Sequence, residues 1–347
     1  MRLHASALTL PLRNPFTITR GTQTEIQNVL LRLNHDGIEA FGEAAPRRYY
    51  GQNQASCLLA LLRFQTFCAK FTPFDLDYLT AAATIDQPYQ EAAQMAFDIA
   101  LHDWIGKKLN IPLWKYFGLV PAWAPPTSVT IGMGDPAFIE KRVRELKSFP
   151  ILKVKLGAPD DMEVLKRIRK LAPKKVLRVD ANCGWTVRSA LERARALRKL
   201  DVEFIEQPIP AGNLKGLKTL HEKMGIPIFT DESSVTAEDV PNLRGAVTGI
   251  NVKLAKCGGL RNAIQMIHAA RVCGLEVMLG CMLESTCAIT AVAHIASLCD
   301  YVDLDGAIDL KVDPFSGVKI MSDGKLKLPS GPGLGLKANS RILNEYS

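Results

Sequence analysis

The sequence contains no long hydrophobic run and no closely paired cysteines. Its longest weakly polar stretch, residues 285–299, is short for a bilayer span and includes His294, which predicts a buried helix. Residues 1–16 hold no uninterrupted apolar segment of the kind found in signal peptides. None of the eight cysteines is spaced as C-x-x-C. We therefore expect a cytoplasmic protein with reduced thiols, without export or a membrane span.

Aromatic residues are sparse at 7%, and charged residues make up 22% of the 347 positions. With 47% hydrophobic residues, the composition is that of an ordinary globular protein and excludes a disordered chain, a collagen-like repeat and a disulfide mini-scaffold. The length suggests two domains at roughly 150 residues each. Lysine and arginine exceed the acids by 43 to 35, and the net charge of +8 favours anionic partners.

The dinucleotide-binding motif G-x-G-x-x-G follows none of the candidate strands. Residues 1–45 read as strands, residues 54–118 as helices, and prolines at 121, 125 and 126 mark a linker. Beyond it, short apolar runs alternate with amphipathic segments, at residues 128–131, 151–156, 176–179, 202–205, 227–230, 250–254, 276–279 and 301–304. Eight such βα units predict a parallel (β/α)8 barrel, and a doubly wound sheet is the alternative.

Three of the predicted strands end in an acidic residue. Asp180, Glu206 and Asp231 follow one another at intervals of 26 and 25 residues, about one βα unit. In a barrel these side chains meet at one mouth, where the catalytic groups of this fold collect. Three converging carboxylates repel one another and call for a cation. An all-oxygen set suits Mg2+, with Mn2+ as a substitute, better than Zn2+.

Lysines stand one unit before and one unit after these acids. Lys155 precedes Asp180, and Lys253 follows Asp231, so the two lysines would flank the metal from opposite sides. Lys153 points to the same face as Lys155 and is expected to support it as a base by lowering its pKa. Two bases across a divalent cation predict removal and return of the α-proton of a bound carboxylate, which is an epimerisation or racemisation.

These residues resemble the enolase superfamily, and within it the muconate-lactonizing subgroup. The matching motifs cover nearly the whole chain: Lys153-Val154-Lys155, Asp180-Ala181-Asn182, Glu206-Gln207-Pro208, Asp231-Glu232-Ser233, residues 253–259, and the segments 42–44 and 99–106. The resemblance implies a modified barrel, (β/α)7β, with an α+β capping domain. The expected divisions are a cap at 1–120, a barrel with the metal site at 121–310 and a segment at 311–347 that returns to the cap.

Within the subgroup, the resemblance is to dipeptide epimerases, specifically those acting on L-Ala-D/L-Glu. Asp303 and Asp305 look like the D-x-D motif that holds the substrate α-ammonium, and two carboxylates suit such a cation. Arg20 resembles the arginine that binds the glutamate side chain. The backbone around Cys281 and Met282 is expected near the substrate carboxylate. Three motif residues are expected to support the metal ligands: Asn182, Gln207 and Glu232. The resemblance implies a homo-oligomer and a role in recycling cell-wall peptides.

Other functions remain open from the sequence. A dipeptide epimerase of different side-chain specificity, an o-succinylbenzoate synthase and a muconate cycloisomerase would use the same lysines and metal acids. Substrates of the last two carry no ammonium, so Asp303 and Asp305 would face anions unfavourably. A histidine-based dehydratase lacks its histidine, because none ends a strand after Asp231. The basic run at residues 166–170 could bind nucleic acid, but it reads better as a solvated barrel helix.

Overall fold

The computed structural model describes residues 1–346, and its N-terminal part is an antiparallel sheet covered by helices. The elements are β1 (Arg2–Ile18), β2 (Gly21–His35), β3 (Ile38–Ala44), α1 (Gln54–Cys68), α2 (Leu76–Asp86), α3 (Glu91–Lys108) and the short α4 (Leu113–Tyr116). The sheet order is β1-β2-β3. Helix α3 is buried on nearly every side, because one face packs on the sheet and another on the second domain.

The first two strands extend well beyond their most apolar segments. The apolar-rich segments are 3–12 and 29–33, and β1 and β2 pair as far as Ile18 and Gly21, within the stretch 1–45 predicted as strands, with an irregularity between Pro11 and Phe16. The outer arm is polar and exposed, so it carries no hydrophobic periodicity. This arm places Arg20 in the turn at the tip of a long hairpin.

The second part is a parallel eight-stranded barrel. Its strands are β4 (Val129–Ile131), β5 (Ile151–Lys155), β6 (Val176–Asp180), β7 (Val202–Glu206), β8 (Ile228–Thr230), β9 (Gly249–Val252), β10 (Glu276–Gly280) and β11 (Tyr301–Asp303). Consecutive strands pair, and a bridge from Thr127 to Val302 joins the two ends. The predicted barrel and all eight of its strands are therefore confirmed, and the doubly wound alternative is wrong.

Helices cover the outside of the barrel between successive strands. They are α5 (Pro136–Glu145), α6 (Asp161–Leu171), α7 (Val187–Lys199), α8 (Leu214–Met224), α9 (Val240–Leu243), α10 (Leu254–Cys257), α11 (Leu260–Val272) and α12 (Thr286–Ala293). The chain after β11 forms two small hairpin-like pairings and a last helix: β12 (Phe315–Ser316), β13 (Lys319–Ile320), β14 (Leu326–Lys327), β15 (Lys337–Ala338) and α13 (Ser340–Tyr346). Seven helical connections and a final strand give the expected (β/α)7β pattern.

Buried acids of the first domain fasten it to the second. Glu43 on β3 accepts hydrogen bonds from the backbone and hydroxyl of Ser285, at the start of α12. Asp98 on α3 accepts from the backbone of Leu260, at the start of α11. Asp103 on the same helix accepts from the backbone of the C-terminal segment. A helix start offers unpaired N–H groups and favours negative charge, so Glu43 and Asp98 supply what these ends lack.

The structure bears on the expected lack of a membrane span and on the state of the cysteines. Within residues 1–346, no helix combines the length and the apolar character needed to cross a bilayer. The stretch at 285–299 contains α12, whose residues are all buried but for its first, as predicted. All eight cysteines are free thiols.

Candidate active site

Three acidic side chains lie side by side at one end of the barrel. Asp180 ends β6 and is paired in register with Glu206, which ends β7. Asp231 directly follows β8, the next strand. All three are buried, with exposures of 0%, 0% and 3%. The regular spacing of the sequence therefore brings these acids to one mouth, as carboxyl ends of neighbouring parallel strands require.

Lysines lie directly against these carboxylates. Lys155 Nζ is 2.6 Å from Asp180 Oδ2, and Lys253 Nζ is 2.7 Å from Asp231 Oδ2. Lys153 Nζ lies 2.6 Å from Glu206 Oε2 and 3.6 Å from Asp180 Oδ2. The positive charge of Lys153 is thus matched by acids across the barrel mouth. The expected effect of Lys153 on Lys155 as a base stays a prediction.

The titration behaviour of the acids reflects burial and mutual repulsion. Burial and the nearby charge of Asp180 raise the pKa of Glu206 to about 7. Burial raises the pKa of Asp180 and Asp231 as well, but the positive charge of their lysine partners outweighs it and holds both pKa values below the ordinary value. Burial lowers the pKa of Lys253, yet Asp231 and Glu206 outweigh it and raise that pKa above the usual value.

The donor set fits a hard divalent cation. Asp180, Glu206 and Asp231 offer only carboxylate oxygens, which are the ligands Mg2+ prefers. Burial and the charge of Asp180 raise the pKa of Glu206, so a cation placed beside these carboxylates would favour its ionised form. Among residues 1–346, no group of His, Cys, Asp or Glu side chains is already arranged around a common point. Lysine ammonium groups hold the carboxylate oxygens that would face such a cation.

The residues expected to support the acids are found next to them. The backbone and side-chain nitrogens of Asn182 donate to Asp180 at 2.8 and 3.2 Å. The side-chain oxygen of Gln207 accepts from the backbone of Asp231 at 2.9 Å. Both Asn182 and Gln207 have positive φ, 43° and 33°, so the chain turns sharply just after each strand. These turns fix the directions in which the carboxylates point.

Sequence reasoning missed two polar residues near the acids. Asn251 on β9 donates to Glu206 Oε1 at 2.8 Å. A signal for it exists, because Asn251 is a polar residue inside an apolar strand, two positions before Lys253 and hence on the same face. Lys256 binds Asp231 Oδ1 at 2.6 Å, and although it lies inside the matching motif at 253–259, the sequence assigned it no role.

Arg20 lies over the barrel mouth at the hairpin tip. Its Nη1 is 2.7 Å from Glu232 Oε1 and donates to the backbone oxygen of Asn182 at 3.3 Å. The guanidinium also stacks 4.6 Å from the centre of the Tyr49 ring. The Arg20 side chain keeps 34% of its surface exposed, whereas that of Glu232 is fully buried. Arg20 is therefore anchored on one edge.

The hairpin tip fits closely against the barrel loops. A Cβ at Gly157, whose φ is +124°, would lie 2.1 Å from the Thr19 methyl group. The Thr19 hydroxyl donates to the backbone of Asn182 at 3.2 Å. Only glycine leaves room for Thr19 at this point, so the loop after β5 is shaped to receive the hairpin.

The two acids of the D-x-D motif differ in their surroundings. Asp303 accepts from Lys153 and from the Ser128 hydroxyl, both at 2.6 Å. Although burial opposes ionisation, Lys153 lowers the pKa of Asp303 to about 2. Asp305 accepts from the backbone of Thr130. Burial and the charge of Asp303 raise its pKa to about 6. Of the two acids, Asp305 is thus the one without a cationic partner among residues 1–346.

One cavity of about 570 Å³ unites the hairpin tip with the strand ends. Residues from both domains line it, among them Arg20, Lys155, Lys253, Asp305, Cys281 and Met282. The Cys281 thiol points back to the carbonyl of Asp303 at 3.3 Å, and burial raises its pKa, so the thiol is neutral. The backbone N–H of Met282 donates to Glu284 at 3.0 Å. The contact of Cys281 and Met282 with a substrate carboxylate stays a prediction.

Comparison with known proteins identifies the family of the chain. The model of the mandelate racemase / muconate lactonizing enzyme N-terminal domain matches residues 4–118, and the enolase C-terminal domain-like model matches residues 137–342. The chain belongs to the mandelate racemase / muconate lactonizing enzyme family of the enolase superfamily. The predicted resemblance is confirmed, and family members with this fold are crystallised with Mg2+.

Several relatives of the chain are named as dipeptide epimerases. The L-Ala-D/L-Glu epimerase of Bacteroides thetaiotaomicron is 36% identical, over 94% of this chain and 85% of its own length. The L-Ala-D/L-amino acid epimerase of a Maribacter species is 34% identical, over 98% of this chain and 100% of its own length. The crystal structure of a Cytophaga hutchinsonii dipeptide epimerase with Mg2+ and D-Ala-L-Val has a TM-score of 0.95 at 26% identity, and covers 99% of this chain and 97% of its own.

Proposed function

We propose that this protein is a Mg2+-dependent dipeptide epimerase, an isomerase that inverts the α-carbon of the C-terminal residue. The position of the two lysines carries the proposal. Lys155 ends the second barrel strand, and Lys253 follows the sixth. In a barrel of eight strands these positions are opposite each other, so a substrate between them presents one face to each lysine.

The proposed reaction uses the two lysines as acid and base in turn. Asp180, Glu206 and Asp231 would hold Mg2+, which when bound stabilises the charge that develops on the substrate carboxylate. One lysine removes the α-proton, and the other returns a proton from the opposite face. Each lysine must first leave its carboxylate, because Lys155 and Lys253 are both engaged in ion pairs. A lysine that keeps its ion pair stays protonated and cannot serve as a base.

Further groups would select a dipeptide with a free amine and an acidic side chain. Asp305, with its raised pKa and without a lysine partner in the described part of the chain, is suited to the substrate α-ammonium, together with Asp303. The anchored guanidinium of Arg20 has its Nε and Nη2 without a hydrogen-bonding partner in the described part of the chain. The N–H groups of that free edge can donate hydrogen bonds to a side-chain carboxylate. We infer L-Ala-L-Glu and L-Ala-D-Glu as substrates.

The remaining expectations belong to the same proposal. The protein would work as a cytoplasmic homo-oligomer in recycling cell-wall peptides, with a cap at 1–120, a barrel at 121–310 and a returning segment at 311–347. Eight free thiols favour a reducing compartment. The basic run on α6 gives no support to nucleic-acid binding, because Arg167 pairs with Glu140 and Arg169 binds backbone carbonyls.

The test is proton NMR in D2O with Mg2+ and a set of L-Ala-L-Xaa dipeptides. We expect exchange of the C-terminal α-proton together with accumulation of the other diastereomer, fastest when Xaa is glutamate. Fast turnover of neutral or basic dipeptides alone would indicate an epimerase of different side-chain specificity. Absence of exchange with every dipeptide would refute the proposal and favour a lyase or cycloisomerase acting on a carboxylate without an amine.

A further inference from the structure

Lys256 is a buried lysine at the mouth of the barrel for which the proposed reaction has no use. It lies on α10, three residues after Lys253, and only 1% of its surface is exposed. A lysine is almost never buried to this extent unless its charge is matched. Its surroundings therefore need an explanation that the two-base reaction does not provide.

The ammonium of Lys256 is surrounded by oxygen atoms. Its Nζ lies 2.6 Å from Asp231 Oδ1 and 2.6 Å from the Asp231 backbone oxygen. It is also 2.9 Å from the backbone oxygen of Ser234 and 2.8 Å from that of Asn251. An ammonium has three protons to donate, so four acceptors use its whole capacity. Lys256 thus ties the end of β9 to the chain that follows β8.

Lys253 and Lys256 hold opposite oxygens of one carboxylate. The Lys253 ammonium donates to Asp231 Oδ2 at 2.7 Å, and the Lys253 side chain lines the cavity. Lys256 takes Oδ1 and lies outside the cavity lining. In the described residues Lys253 has this one hydrogen-bonding partner, against four acceptors for Lys256. Leaving the carboxylate would therefore break one hydrogen bond of Lys253, but the Lys256 ammonium is held by three further oxygens.

We propose that Lys256 is a positioning residue that fixes the orientation of Asp231, one of the carboxylates that would hold the metal. By holding Oδ1 and the backbone of residues 231–234, it keeps Oδ2 directed at the barrel mouth. It also remains as a counter-charge when Lys253 departs, so that Asp231 is never left as an unpaired buried anion. This inference rests on the proposed metal site.

The proposal predicts that removing the charge of Lys256 weakens Mg2+ binding, whereas simple electrostatics predicts that it strengthens it. Removing a positive charge next to a cation site should strengthen cation binding by Coulomb's law. A positioning role predicts the opposite, because Asp231 loses its fixed orientation. Groups that orient metal ligands typically account for about 10–100-fold in metal affinity. The direction of the change therefore separates the two explanations.

The experiment measures Mg2+ binding by titration calorimetry for the whole protein and two matched variants, Lys256→Met and Lys253→Met. Both replace a buried lysine that contacts Asp231 by an unbranched side chain without charge. We expect Lys256→Met to bind Mg2+ about 10–100-fold more weakly. Lys253→Met should bind it at least as tightly as the unmodified protein, since a competitor for Oδ2 is gone. Equal or tighter binding by Lys256→Met would overturn the proposal.

Two further readouts separate positioning from a general loss of structure. If Lys256 positions Asp231, excess Mg2+ should restore most of the kcat of Lys256→Met, and the defect should lie in the Mg2+ concentration needed. A kcat that stays low at saturating Mg2+ would contradict the proposal. If the unmodified protein binds no Mg2+, the proposed metal site itself fails, which is a distinct result.

A measurement on the unmodified protein covers the case in which Lys256→Met does not fold. Lysine side-chain nitrogens labelled with 15N report on each buried ammonium during a Mg2+ titration, with Lys253→Met assigning one of the signals. We expect the Lys253 signal to shift strongly as its ion pair opens, while the Lys256 signal stays in place and its protons stay protected from exchange. A Lys256 signal that moves as far as that of Lys253 would refute the fixed role.

Discussion

Replacing Arg20 by methionine should separate two effects of its guanidinium. The first is on substrate choice, because the proposed contact with a glutamate side chain is charge-assisted and worth about 1.5–3 kcal/mol. Losing it should raise the KM for L-Ala-L-Glu by about 10–100-fold, at 1.4 kcal/mol for each factor of ten. A neutral dipeptide such as L-Ala-L-Leu makes no such contact, so its KM should change little.

The second effect of the Arg20→Met change is on stability. It leaves Glu232, whose side chain is fully buried, without the cation that lies 2.7 Å away. Two charges about 4 Å apart interact by about 4 kcal/mol at an effective dielectric constant of 20. Because 34% of Arg20 is exposed, solvent screening reduces this to about 1–3 kcal/mol. The free energy of unfolding should fall by that amount.

A double variant provides the control for the charge on Glu232. Glu232→Gln removes the buried charge, so Arg20→Met combined with Glu232→Gln should be more stable than Arg20→Met alone. Initial epimerisation rates by NMR and urea unfolding curves measure the two effects independently. Equal losses of rate for glutamate-ended and neutral dipeptides would remove Arg20 from the specificity role. Additive stability changes would show that the ion pair contributes nothing.

Three further changes test other parts of the molecule. Lys155→Ala and Lys253→Ala should each lower epimerisation by about 10²–10⁴-fold while retaining exchange of one diastereomer's α-proton in D2O, and full turnover in both would refute two-base transfer. In the unmodified protein the KM for L-Ala-L-Glu should rise as the pH falls through about 6, because Asp305 becomes protonated and loses the charge that binds the α-ammonium. Asp305→Asn should abolish this pH dependence when the KM is measured from pH 5 to 8. Glu43→Ala should lower the free energy of unfolding by about 1–3 kcal/mol, since it leaves buried donors at the start of α12 without their acceptor, and an unchanged urea midpoint would contradict that.

The barrel and the acids at its mouth are predictable from the sequence for one physical reason. A βα unit has a nearly constant length, so a residue that ends one strand recurs about 25 positions later at the end of the next. Asp180, Glu206 and Asp231 keep that interval, and the strand register puts Asp180 opposite Glu206. Local periodicity alone thus determines which side chains share the mouth.

Contacts between distant loops could not be predicted in this way. The ion pair between Arg20 and Glu232 joins residues more than two hundred positions apart, and so does the link from Glu43 to Ser285. Each depends on how a polar segment crosses from one domain to the other, and polar segments carry no hydrophobic period.

The four lysines around the acids divide into two kinds, which explains how a strongly charged site can be buried and still react. Lys153 and Lys256 are 1% exposed and each bonds several oxygens, whereas Lys155 and Lys253 are 9% and 5% exposed and each bonds one carboxylate oxygen. Because a fixed lysine stands beside each mobile one, the acids keep a counter-charge when the mobile lysines turn to a substrate. A barrel mouth with only the two reactive lysines would leave buried carboxylates unpaired at the moment of proton transfer, at a cost of several kcal/mol.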